Sequence, residues 1–188
     1  VKLTSAGEVI LNEGRRLLIQ ANQLENLARE LNQAWEAKLM VIVDGILPLQ
    51  TILKALKDLD DEGAPTRVQV KVEFLRAVQH RFESDKADLM IVKDYVAHPH
   101  LHAENLQELE CILCVAPEHA LASMKQVSLA QLQEHTELSV QDSSQSGNDE
   151  HIFGSERVFY LDGFFAKKEA LLMGLGYGWM PSFLVKDE

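Results

Sequence analysis

Leu3, Ile10, Leu17, Leu24 and Leu31 stand seven residues apart at the start of this chain. An apolar seam of strict period seven is buried best against a second helix, so the register predicts a coiled-coil pair. The residues four positions further on are Gly7, Gly14, Ala21, Ala28 and Trp35, small until the last turn, which lets two backbones approach closely. No proline precedes Pro48, and Glu, Gln, Asn, Leu, Arg and Ala fill most of the first 37 positions, which predicts one long helix over about residues 1–36. Gly7 and Gly14 each cost about 1 kcal/mol relative to alanine inside a helix, and packing across the seam has to offset that. The plainer alternative is an amphipathic helix lying on its own domain, whose apolar stripe would be wider than a seven-residue register.

With 188 residues, 46% hydrophobic and 25% charged, the chain has material for one globular domain or two small lobes. No apolar run approaches the roughly 20 residues that span a bilayer, and the first residues carry no signal-peptide core, so a cytoplasmic protein without a membrane partner is expected. The net charge of −11 is shared unevenly: residues 1–37 hold 4 basic and 5 acidic side chains, the remainder 14 and 24. No part of such a chain is built to grip nucleic acid by itself.

Cys111-Ile112-Leu113-Cys114 has CxxC spacing, which on a loop or helix start would suggest a redox pair or half a zinc site. The surrounding run Glu110–Ala116 instead reads as a buried strand. There, residues three apart point to opposite faces about 10 Å apart, beyond the roughly 7 Å Cα separation that a disulfide tolerates. Two reduced core thiols are expected.

After Trp35 the pattern changes. Lys38–Val43 is an apolar run of strand length that ends at Asp44-Gly45, and a helix is predicted over Leu47–Leu59 with Leu49, Ile52, Leu53 and Leu56 on one face. The acidic stretch Asp58–Glu62, then Gly63 and Pro65, stops it. Val68, Val70, Val72 and Phe74 alternate with polar residues, giving a strand over Thr66–Phe74, a helix over Leu75–Ser84 and a third strand over Asp88–Val92. Strand-helix-strand-helix-strand order is the signature of a parallel sheet with crossover helices. From Leu101 to Pro117 strands are again expected, then a helix over Ser128–Glu134, a strand over Thr136–Gln141, a polar loop over Ser143–Gly154 and a strand over Arg157–Leu161. Asp162 is expected to cap a helix over Gly163–Met173 that ends at Gly174, and Tyr177–Met180 forms a last strand. Two α/β units in tandem imply two lobes and a cleft. Ligands of open α/β sheets sit at the carboxyl ends of strands, here the loops that start at Asp44, Lys93, Gln141 and Leu161.

Five segments, in order, resemble the LysR-type transcriptional regulators: Leu3-Thr4-Ser5-Ala6-Gly7-Glu8, Glu73-Phe74-Leu75, Ala87-Asp88-Leu89-Met90-Ile91, Val115–Ala122 and Gly174–Pro181. The resemblance covers essentially the whole chain. It implies an α/β fold, a two-lobed periplasmic-binding-protein-like effector domain preceded by a long dimerising helix. The division expected is a linker helix at 1–36, lobe one at 37–108, lobe two at 109–181 and a return towards lobe one at 182–188. It further implies a homodimer through the linker helix, with pairing of dimers into tetramers, frequent in the family, left open, a winged helix-turn-helix that binds DNA ahead of Val1, and a further strand and helix beyond Val185. Lobe one would then be incomplete here, as in a piece of a longer protein.

By the same resemblance, effector contacts fall at Asp44, Gly45 and Ile46, at Lys93 and Asp94, at Gln141, Asp142 and Ser143, and at Leu161 and Asp162. Many family members place a Ser or Thr hydroxyl for a carboxylate effector near the first of these, where this chain has Asp44. The four acids Asp44, Asp94, Asp142 and Asp162 face one base, Lys93, so a cationic or amine-bearing effector, or a cleft that senses protonation, is expected. The plainer reading is that Asp44 and Asp162 cap the helices that follow them.

His98-Pro99-His100-Leu101-His102 puts three imidazoles on alternate positions, but Pro99 and polar neighbours favour an exposed turn over a metal site. His119, after Pro117, is expected to cap or pack at a lobe junction. No nucleophile elbow, phosphate loop or metalloprotease motif occurs, so no enzyme, no cofactor and no metal is expected. The rival from another class is a solute-binding protein of a transport system, which shares the cleft but has no use for a heptad helix.

Overall fold

In a computed structural model, residues 4–30, 35–141 and 153–185 are described. Helix α1 spans Ser5–Glu30, 26 residues without a break. Ile10, Leu17 and Leu24 are 73%, 63% and 68% exposed on it, so the rest of the chain does not cover the seam. Leu3 and Leu31 lie outside the described residues.

The first sheet contains β1 (Lys38–Asp44), β2 (Arg67–Glu73) and β3 (Leu89–Ile91) in the order β2-β1-β3, all parallel. Central β1 buries its last four residues, Val41 to Asp44, which explains why it lacks alternation. Its crossover helices are α2 (Leu49–Asp61) and α3 (Ala77–Asp85). Helix α3 seals one face through Val78 against Ile42 and Ala87, with Phe82 and Met90 beside them. Edge strand β2 is tied to α3 by ion pairs, Lys71 to Asp85 at 2.6 Å and Arg81 to Glu73 at 2.8 Å. Helix α2 keeps the predicted apolar face but buries no residue fully, and Leu49 and Leu53 are each 53% exposed.

The second sheet contains β4 (Cys111–Val115), β5 (Glu137–Val140), β6 (Val158–Leu161) and β7 (Tyr177–Pro181), ordered β4-β7-β5-β6. Strands β5, β6 and β7 run parallel, and β4 joins β7 antiparallel. The expected strands between Leu101 and Glu110 are absent. That stretch is the passage from one sheet to the other and pairs with no strand, and Leu106 is 73% exposed. Short helix α4 (Leu129–Gln133) opens with a reciprocal capping box between Ser128 and Gln131.

Helix α5 (Gly163–Leu172) lies on this sheet, with Ala170 and Leu171 packed against Leu138 and Met180. Gly174, at φ 70, follows it as expected. Leu184 and Val185 pack on the same core after a 3-10 turn at Ser182–Leu184. Cys111 and Cys114 are both free thiols within β4, and burial pushes both above the ordinary thiol range. Desolvation of the charged form makes them poor nucleophiles, in keeping with a structural role.

Candidate effector site

The carboxyl ends of the first sheet and the start of α5 converge on Asp44. This residue is 4% exposed, and its Oδ1 accepts the N–H of Ile46 at 3.0 Å. The Lys93 backbone N–H also bonds to the carboxylate. Burial is the largest influence on it and pushes its pKa up to about 6, against the lowering effect of those two hydrogen bonds and the Lys93 ammonium. The expected capping role does not hold. Helix α2 begins five residues later, with Pro48 at its N-cap, and Asp44 shapes an Asx turn instead.

Gly45 donates its N–H to the Glu73 carbonyl at 2.8 Å, and Ile46 is buried beside it. At the end of β3, Lys93 Nζ pairs with Asp94 at 2.8 Å, with the Asp94 side chain 78% exposed. Gln141 is exposed, and its N–H bonds the Leu161 carbonyl at 2.9 Å. Leu161 packs into the core under α5. Asp162 occupies the N-cap position of α5 but makes no side-chain capping bond, because its backbone (φ −81, ψ 81) is not that of a regular cap. Asp142 and Ser143 lie outside the described residues. Of the three acids among the described residues, then, Asp44 is buried while Asp94 and Asp162 are exposed.

Three further side chains occupy the junction. Phe74, immediately after β2, lays its ring against the backbone of both Gly45 and Gly163. A Cβ at Gly45 would overlap Phe74 Cε1, and one at Gly163 would lie 2.7 Å from Phe74 Cζ. The ring also meets Phe164, centroid to centroid at 6.4 Å. Lys167, one turn into α5, is 5% exposed and runs its stem over Gly178, with Nζ 5.8 Å from the Phe164 ring centre. The ammoniums of Lys93, after β3, and of Lys167, on α5, both draw the Cys111 thiol down against the larger effect of burial. Lys167 was hidden in sequence because a lysine in a helix ordinarily reads as a solvent-facing residue.

The other histidine motifs are structural. His119 Nδ1 accepts the Leu121 N–H at 3.2 Å, capping the 3-10 helix Ala120–Ser123. Its ring stands 4.8 Å from that of His135, and burial, then the His135 charge, lowers its pKa. His98 and His100 rings are 5.3 Å apart, and His102 pairs with Glu104. Among the described residues no group of three or more metal-ligating side chains could hold an ion, and no helix is long and apolar enough to cross a membrane.

The LysR substrate binding domain matches residues 32–188. Curated relatives include the uncharacterized HTH-type transcriptional regulator YeeY of Escherichia coli K12, 23% identical over 98% of this chain and 62% of its own length. AlsR of Bacillus subtilis is 22% identical over 74% of this chain and 46% of its own. The chain therefore spans less than two thirds of the length of these relatives. Among solved structures, a full-length OxyR variant from Pseudomonas aeruginosa superposes with a TM-score of 0.62 at 14% identity, covering all of this chain and 67% of that one. Full-length CbnR in complex with its target DNA gives 0.58 at 18% identity, over 99% and 67%. Two α/β sheets, a long leading helix and this match over residues 32–188 make one assignment: the chain belongs to the LysR substrate-binding domain family, the effector-binding region of LysR-type transcriptional regulators.

Proposed function

We propose that this chain is the effector-sensing and dimerisation region of a cytoplasmic LysR-type regulator. A small amine-bearing molecule binds at the carboxyl ends of β1, β3, β5 and β6, and it changes how the lobes sit on one another. Helix α1, paired with its copy through Ile10, Leu17 and Leu24, passes that change to DNA-binding heads. CbnR, of like fold, has been seen on its target DNA.

The buried Asp44 carboxylate carries this reading. An ammonium placed beside it would compensate a charge that burial leaves costly, whereas an anion would be repelled. Calorimetric titration with polyamines, amino acids and aromatic acids tests it. Micromolar binding of an amine, weakened at least tenfold by Asp44→Asn, is expected, and tight binding of a simple dicarboxylate would sink it.

A further inference from the structure

The geometry points to Phe74 as a tethered occupant of the effector site: its ring fills a flat slot that a ligand's own benzene-sized ring would take over. The inference rests on the reading of this junction as the effector site, and it adds the shape of the ligand's apolar part.

Three observations carry it. First, the ring lies against bare glycine backbone from both sheets. Gly45 from lobe one and Gly163 from lobe two present backbone where any side chain would strike the Phe74 ring, and Gly163 adopts φ 88, a conformation suited to glycine. Two glycines from two different sheets thus meet the Cε1–Cζ end of one planar ring, with the Phe164 ring at its border. Second, Phe74 is the first residue beyond β2, and Leu75 after it is held at φ 54, a left-handed backbone that branched residues avoid. That strain sits on the residue next to the one that bears the ring. Third, the slot adjoins the buried Asp44, since Gly45 is its neighbour in sequence and is pinned to Glu73.

A ligand with a planar aromatic ring joined to an ammonium by a short link satisfies both features: the ring replaces Phe74 between the glycines, and the ammonium meets Asp44. The tethered ring competes with that ligand and also joins the lobes while the site is empty. Phe74 is thus a specificity-determining residue.

The test compares wild type, Phe74→Ala and Phe74→Leu, titrated with benzyl alcohol, benzylamine and cyclohexylmethylamine. Spin labels at Lys54→Cys on α2 and Glu118→Cys in lobe two, in a background with Cys111 and Cys114 replaced by serine, report lobe spacing. Phe74→Ala is expected to broaden the spacing distribution without any ligand. Benzyl alcohol should narrow it again and raise Tm, and it should bind the wild type at least tenfold more weakly. The thicker cyclohexyl ring should do neither, and Phe74→Leu should lie between. Unchanged spacing in Phe74→Ala, or equal binding of benzyl alcohol to wild type and variant, overturns the slot. A gain of benzylamine over benzyl alcohol that Asp44→Asn abolishes belongs to the amine reading alone, so the two proposals fail separately.

Discussion

Asp44 titrates near 3.8 in an unfolded chain and at about 6 in the folded one, because burial penalises its charged form. The folded protein holds the proton between those values. Its favourable contribution is therefore complete below about pH 4 and lost as pH rises through 6, a change on the order of 2–3 kcal/mol. Asp44→Asn keeps the oxygen that accepts the Ile46 N–H and removes the charge. Urea unfolding at pH 4 and pH 7.5 should show the variant gaining on wild type by about that amount at the higher pH. Lys86, at φ 51, ends α3 in a left-handed conformation that costs a non-glycine residue roughly 1 kcal/mol. Lys86→Gly should then stabilise the protein by about 0.5–1 kcal/mol in the same measurement. Asp44 was legible in sequence because an apolar run ending in Asp-Gly marks a strand's carboxyl end. Phe74 was not recognised as part of the site, since its alternation with Val68, Val70 and Val72 reads as one more inward strand position, and only the tertiary fold brings Gly163 to its ring.

Elements with strong local signals are legible in the sequence. Strand β1 is predicted to stop at Asp44 and does, and α4 lies inside its predicted range because Ser128 and Gln131 carry its cap in their own side chains. Ser128→Ala should cost about 1 kcal/mol and shorten α4, visible as faster amide exchange at Gln131. The passage before β4 was misread because apolar content alone cannot say whether a partner strand is near. Helix α1 carries its apolar seam outward, so the proposed pairing needs a second copy to cover it. Leu17→Glu should turn a dimer into a monomer by sedimentation at micromolar concentration, with its circular dichroism changed only over the leading helix. A wild-type monomer would contradict the pairing.

The molecule as a whole rests on separate cores. Val78, Ile42 and Ala87 form one under the first sheet, and Leu138, Ala170, Leu171 and Met180 form another under the second, with no residue in common. Val78→Ala should cost about 2 kcal/mol and Met180→Ala about 3 kcal/mol. The double variant should equal their sum within about 0.5 kcal/mol, since the two sites share no partners. A large coupling would mean that the cores unfold through one another.

The way the second sheet is stitched has a consequence beyond sensing. Strand β4 enters alongside the strand by which the chain leaves, Cys111 opposite Pro181, and just outside them the Ser182 N–H bonds the Glu110 carbonyl at 2.8 Å. A segment whose entrance and exit are a hydrogen bond apart is a cassette: residues 110–182 can be set into a surface loop of an unrelated protein without stretching its chain.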